Sequence, residues 1–313
     1  MFKPSGIYAA MLTPFQGDGS INEAVIRQMV DFMIAKGLQG IFPISSVGEF
    51  AHLSLEEIYR YMEIVVDQAK GRVHIMPGAG STCAANSIKI ANHAKALGCE
   101  AVVICPPYYY PISQENLQKY YEDIADAVDI PVILYNIPLF ITPISQQVII
   151  NLSKHENIVA LKDSSGSMVD LMHYLYQVNS TGSDCNILVG REDMLAPALA
   201  VGAKGCIVAC AGIVPEIMVG IWDAYHAGDW DRALRIQNVL LPLITLMFEL
   251  PFPIGFKAAL EFRGFAMGPL KQSLSAAEQA RMGALKIKIQ AALQKVLDFI
   301  DQEGLDKTKG TVQ

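Results

Sequence analysis

Eight short runs rich in β-branched residues recur along the first two-thirds of the chain. They are GIYAAMLT (6–13), GIFPISS (40–46), VHIMPGAG (73–80), AVVICPP (101–107), PVILYNIP (131–138), IVALKDSS (158–165), NILVGRE (186–192) and GCIVACAG (205–212). Each is apolar on both faces rather than alternating, as a strand covered by helices in a parallel sheet must be. Helical patterns lie between them. In NEAVIRQMVDFMIAKG, Val25, Met29, Phe32 and Met33 share one face and Gly37 supplies the stop. Ser54-Leu55-Glu56-Glu57 opens the next helix with a capping box. Eight β-then-α units at a spacing of roughly 25–30 residues predict a (β/α)8 TIM barrel, whose chemistry sits at the C-terminal ends of its strands. A doubly wound sheet is the other α/β architecture. It usually carries a glycine-rich phosphate loop after the first strand, and TPFQGDGS does not follow that pattern. Gly78-Ala79-Gly80 reads as a tight turn.

The pattern changes after the eighth unit. Helices are predicted over 231–248 and 254–264, and a third opens at a capping box, Ser275-Ala276-Ala277-Glu278. No linker separates this part, so the expected organisation is a catalytic barrel over 1–225 and a C-terminal helical extension over 226–313, packed as one structural unit. The final GLDKTKGTVQ is expected to fray.

Composition narrows the choices. The 313 residues are 52% hydrophobic and 18% charged, enough for a sizeable core. A net charge of −7 without a Lys/Arg cluster argues against nucleic acid. Six cysteines (Cys83, Cys99, Cys105, Cys185, Cys206, Cys210) are scattered without a CxxC, several in apolar runs, which suggests reduced, buried thiols and a cytoplasmic location. MFKPSGIYAAMLTPF lacks the features of a signal peptide. NVLLPLITLMFELPF is too short for a bilayer and contains prolines, so a soluble protein is expected. The six histidines show no HxxxH or HExxH spacing, and no metal is expected.

Candidate chemistry gathers at the strand ends. The second run closes on Ser45-Ser46-Val47-Gly48-Glu49, the fourth on Pro106-Pro107-Tyr108-Tyr109-Tyr110-Pro111, the fifth on Tyr135-Asn136-Ile137-Pro138 and the sixth on Lys162-Asp163-Ser164-Ser165. A lysine at the end of an apolar strand either snorkels to solvent or is kept partly neutral by lost hydration, able to attack a carbonyl. Hydroxyls, phenols and one lysine, without a histidine or a carboxylate cluster, suit imine chemistry: the iminium withdraws electrons from the adjacent carbon without a metal or other cofactor, and phenols relay protons.

At these residues the chain resembles the dihydrodipicolinate synthase/N-acetylneuraminate lyase family of class I, pyruvate-handling (β/α)8 lyases. The resemblance covers residues 5–300 and rests on Ser45 to Glu49, Pro107 to Ser113, Tyr135 to Pro138 and Lys162 to Gly166, in family order. It implies that Lys162 is the Schiff-base lysine and Tyr135 the phenol that moves the proton at the reacting oxygen. Ser46 matches the relay hydroxyl, and Tyr109 a relay tyrosine that reaches in from a neighbouring subunit. The backbone amides of Ser46 and Val47, in the loop begun by Ser45, would hold the pyruvate carboxylate, and Ile207 matches the residue beside the pyruvyl methyl.

Departures from the family pattern bear on the second substrate. Synthases carry an arginine two residues after Tyr-Asn-x-Pro, where it binds the aldehyde's distal carboxylate; here that position is Phe140. Val47 replaces a polar residue or a glycine, and Ile141-Thr142-Pro143 replaces a small residue and a glycine. Gly190-Arg191-Glu192-Asp193 stands where sialic acid lyases place acidic residues on sugar hydroxyls; Glu192 and Asp193 either do so or cap the next helix. The expected function is a Schiff-base aldolase that cleaves a 2-keto-3-deoxy sugar acid, or a related 4-hydroxy-2-keto acid, to pyruvate and an aldehyde. The alternative is 4-hydroxy-tetrahydrodipicolinate synthase, condensing pyruvate with aspartate semialdehyde. A non-catalytic keto-acid sensor is a third reading, though a sensor has no need of the proton relay. Three adjacent tyrosines cannot all face one pocket, and the resemblance implies a homotetramer built from tight dimers.

Overall fold

The computed structural model describes residues 2–310. Its eight strands are β1 (Gly6–Ala10), β2 (Gly40–Phe42), β3 (His74–Ile75), β4 (Val102–Ile104), β5 (Val132–Asn136), β6 (Ile158–Asp163), β7 (Asn186–Val189) and β8 (Gly205–Val208). All pairings between them are parallel, in the order β3-β2-β1-β8-β7-β6-β5-β4. The two ends of that order meet. Val103 N–H donates to the Pro77 carbonyl at 2.9 Å and Ala79 N–H donates to the Val103 carbonyl at 2.9 Å, which curls the sheet into a barrel.

Each strand falls inside its predicted run, and each is shorter. Prolines explain four of the early endings. Pro43, Pro77, Pro106 and Pro138 follow β2, β3, β4 and β5 within two residues, and proline offers no ladder donor. After Pro43, Pro106 and Pro138 the backbone becomes the loops of the mouth, while after Pro77 it stays in the barrel wall as far as Ala79.

The helices α1 (Glu23–Ala35), α2 (Leu55–Ala69), α3 (Ala84–Ala96), α4 (Gln114–Ala127), α5 (Gln146–Leu152), α6 (Met168–Ser180) and α7 (Leu195–Ala200) connect successive strands. In α1 the buried residues are Val25, Ile26, Met29, Val30 and Met33. The face is rotated slightly from the predicted one, leaving Phe32 half-buried against Phe265. Gly37 takes φ +83°, a left-handed exit that glycine adopts freely. The capping box at Ser54 is complete: its hydroxyl accepts from Glu57 N–H at 3.2 Å and its N–H donates to Glu57 Oε2 at 2.8 Å.

After β8 come α8 (Cys210–Ile213), α9 (Pro215–His226), α10 (Trp230–Phe248), α11 (Ile254–Phe262) and α12 (Ala276–Gln302). Here two expectations are corrected. Ser275 caps α12 by accepting from Glu278 N–H at 3.2 Å, but only this serine half of the predicted capping box is present among the described residues. The expected fraying is also revised: Leu305 is buried, Asp306 pairs with Lys36 at 2.7 Å, and Lys307–Gly310 form a 3-10 turn. An ion pair onto α1 ties this segment down, while residues 311–313 lie outside the described residues.

Among the described residues no helix is long and apolar enough to cross a membrane. The six cysteines are free, and all but Cys83 are buried.

Candidate active site

Register on the barrel brings the chemistry together. Tyr135 and Lys162 are direct neighbours across β5 and β6. The Lys162 amine lies 3.9 Å from the centroid of the Tyr135 ring and 4.6 Å from that of Phe42, and the residue is 3% exposed. Burial pulls its pKa down to about 7, while Glu192 pushes it back up. Snorkelling to solvent is thereby excluded. Burial holds the Tyr135 phenol well above its ordinary pKa, and hydrogen bonds to Ser46 and Ser164 pull the other way. The Ser46 hydroxyl donates to the Tyr135 oxygen at 3.5 Å.

The loop after β2 is shaped by strain and by its own hydroxyls. Ile44 has φ +56°, a region a β-branched side chain enters only under constraint. Ser45 is buried, and its hydroxyl is spent on the loop: it donates to the Met11 carbonyl at 2.9 Å and accepts from Gly48 N–H at 3.1 Å. Ser45 is not among the residues lining the cavity above Lys162, whereas Ser46 and Val47 are. The N–H groups of Ser46 and Val47 take no partner among the described residues. Glu49, at φ +59°, turns its buried carboxylate onto the Lys257 amine of α11 and accepts from Lys271 N–H at 3.3 Å.

The loop after β6 is braced from beneath. Asp163 accepts from Asn136 at 2.8 Å and from the Ser165 hydroxyl at 2.7 Å. Gly190 follows β7, and a Cβ there would lie 1.9 Å from the Ser164 hydroxyl and 3.0 Å from Lys162 Cε, so only glycine lets the two loops approach. Glu192 is buried, and its Oε1 accepts from Ala209 N–H at 2.9 Å and Cys210 N–H at 3.2 Å, at the start of α8. Its carboxylate thus caps the helix after the neighbouring strand, β8, rather than the one that follows it in sequence. Asp193 is not brought to the cavity; it holds Arg191, which is.

The cavity over Lys162 has a volume of about 60 Å³ and also includes Ile207, Gly190 and Glu192 in its wall. A wider chamber of about 430 Å³ opens outward from it, sharing Ser46, Ile137, Phe140 and Phe252. Tyr109 lines the outer chamber only; it is 85% exposed with φ +85°. The rings of Phe140, Phe248, Phe252 and Phe256 surround the inner opening, the last three supplied by the C-terminal helices and the turn between them. Residue-by-residue reading missed Arg191 and these three phenylalanines. Their spacing of four, in FELPFPIGF, was the available signal. Among the described residues no cluster of three His, Cys, Asp or Glu side chains is arranged to hold a metal ion.

Comparison with known proteins identifies the family. A profile of the dihydrodipicolinate synthetase family matches residues 3–292. A 4-hydroxy-tetrahydrodipicolinate synthase from Methanosphaerula palustris is 35% identical over 283 residues, 90% of this chain and 96% of that one. The Escherichia coli K12 prophage protein YagE, solved in complex with pyruvate, superposes with a TM-score of 0.86 at 28% identity, over 92% of this chain and 98% of its own. A 2-keto 3-deoxygluconate aldolase from Picrophilus torridus does so with a TM-score of 0.80 at 26% identity, over 85% and 96%. With its barrel, its buried strand-end lysine and a match along nearly its whole length, the chain belongs to the dihydrodipicolinate synthetase family, and it is a pyruvate-dependent class I carbon–carbon lyase.

Proposed function

We propose that Lys162 forms an imine with pyruvate and that the resulting enamine condenses with aspartate semialdehyde, the reaction of a 4-hydroxy-tetrahydrodipicolinate synthase. The observation that carries the imine is the buried Lys162 amine, with a pKa near 7, on the floor of the inner cavity. The choice of acceptor follows the name of the relative that is 35% identical. This reverses the order of preference drawn from the sequence, in which Phe140 is the discriminating residue. Cleavage of a 2-keto-3-deoxy sugar acid stands second, favoured by Phe140 in the arginine's place and by the likeness to the Picrophilus torridus aldolase.

The proposed steps use the groups that the cavity brings together. The neutral amine adds to C2 of pyruvate, and the carbinolamine oxygen leaves as water after protonation through Tyr135. Loss of a C3 proton gives the enamine, whose C3 attacks the aldehyde carbon while Tyr135 returns a proton to the aldehyde oxygen. The acceptor's own amino group then attacks the iminium carbon, closing the ring and expelling the lysine amine, so that the one water released is the one lost on imine formation. Ser46, 3.5 Å from the Tyr135 oxygen, carries the proton onward. The unpartnered amides of Ser46 and Val47 suit the pyruvate carboxylate, and Ile207 packs the methyl. Glu192 is held to the α8 amides, where it serves the cavity by its charge.

The assembly is proposed as a homotetramer of tight dimers. Tyr109 and Tyr110 stand exposed beside Leu139 and Phe140, an apolar surface that a second copy covers while Tyr109 completes the partner's relay. A second exposed stripe on α6, Val169, Met172 and Tyr176, offers the weaker contact. Five buried free thiols fit the reducing cytoplasm.

Two measurements test the reading. Borohydride reduction in the presence of pyruvate is expected to add mass to the peptide that carries Lys162; an adduct on any other lysine overturns the mechanism. Rates with pyruvate plus aspartate semialdehyde are expected to exceed pyruvate release from every member of a sugar-acid panel. The opposite order makes the chain a sugar-acid aldolase.

A further inference from the structure

Among the described residues, two cations line the inner cavity: Lys162 and Arg191. In the mechanism proposed above Lys162 becomes bonded to pyruvate, which leaves Arg191 as the cation for the other reactant. We infer that Arg191 is the specificity-determining residue that binds a carboxylate at the far end of the acceptor aldehyde, from the loop after β7 rather than from the family's arginine position after β5. The inference rests on the pyruvate-imine reading and adds to it the residue that selects the acceptor.

The guanidinium is held for such a task. Asp193 occupies one edge, accepting from Nε at 3.3 Å and from Nη2 at 2.8 Å, and the Phe248 ring centroid lies 5.1 Å from Cζ. These contacts fix the plane of the group. Nη1 takes no hydrogen bond among the described residues. A guanidinium has five N–H donors, so the Nη1/Nη2 edge remains free to grip a carboxylate with two parallel bonds. The Arg191 and Asp193 side chains are 31% and 29% exposed, so water screens the charge of Asp193 while bonds on the free edge keep their direction.

Aromatic packing connects Phe140, in the family's arginine position, to Arg191. Phe140 lies 5.2 Å from Phe252, Phe252 lies 6.3 Å from Phe248, and Phe248 lies against Arg191. An acceptor with a short apolar body and an anionic end fits a path that runs along rings and finishes at a cation. A neutral polyol tail meets phenylalanine where it needs donors and acceptors.

The test uses two aldehydes of equal length, succinic semialdehyde and butanal, which differ by the distal carboxylate. The full-length enzyme is supplied with pyruvate, and kcat/KM is measured for each. Wild type is expected to favour succinic semialdehyde. Arg191→Gln is expected to lower that preference about 100-fold, the scale of a lost charge-assisted bidentate contact. Arg191→Lys is expected to lower it about 10-fold, because an ammonium keeps the charge without the fork. An unchanged preference, or an equal loss with both aldehydes, overturns the inference. Borohydride trapping runs alongside each variant: a wild type that traps no pyruvate on Lys162 removes the underlying mechanism, whereas trapping with unaltered selectivity removes Arg191 alone.

Discussion

An amine with a pKa near 7 is about half neutral at neutral pH, and Lys162 owes that to burial opposed by Glu192. Imine formation needs the neutral form, so its rate is expected to rise with pH through about 7 and then level off. Glu192→Gln keeps the acceptor for the α8 amides and removes the charge that raises the lysine. The acidic limb is then expected to move to lower pH in single-turnover trapping; a limb that stays or moves up refutes the electrostatic role. Tyr135→Phe keeps the ring beneath the amine and loses the proton carrier. Trapping of pyruvate is expected to persist while turnover slows roughly 10²–10³-fold, and undiminished turnover moves the proton step elsewhere. Lys162 and Tyr135 were legible because both lie at the ends of unbroken apolar runs. Arg191 was not, since nothing in its spacing tells that Asp193 and Phe248 hold it toward the cavity.

At the level of elements, the loop between β2 and α2 depends on a helix far along the chain. Glu49 and Lys257 side chains are 2% and 3% exposed, and burial draws the Lys257 pKa below its usual value while Glu49 opposes that. Glu49→Ala leaves an ammonium buried without its partner and is expected to cost about 3–5 kcal/mol. Thermal unfolding measures it, and a melting temperature within a degree of wild type rejects the bracing role. The eight strands were readable because helix-covered strands are apolar throughout. Their lengths were overdrawn, as hydrophobic runs continue past Pro43, Pro77 and Pro138, where the regular ladder gives way to isolated bonds or none. The pairing of Glu49 with Lys257 has no local signature, because it joins segments that only the closed barrel brings together.

For the whole molecule, the proposed assembly makes the exposed tyrosines of the β4 loop part of the active unit, and complementation tests it. Tyr109→Phe and Lys162→Ala are each expected to be inactive or nearly so. Refolded together, they are expected to recover part of the wild-type rate, because a mixed dimer holds one site with neither lesion. No recovery after verified mixing returns Tyr109 to its own subunit or removes it from the chemistry. The closure of the barrel has a separate consequence. Five residue pairs register β5 on β6, whereas among the described residues β3 meets β4 through one isolated bridge, Gly78 to Val103, with backbone bonds at Pro77 and Ala79 and a longer one from Glu100 N–H to the Ile75 carbonyl. A ring opens where it is least sewn. Hydrogen exchange in the native state is therefore expected to reach the amides of Ala79 and Val103 well before those of Leu134 and Leu161, so that the molecule breathes along one seam while the wall that carries Lys162 stays shut.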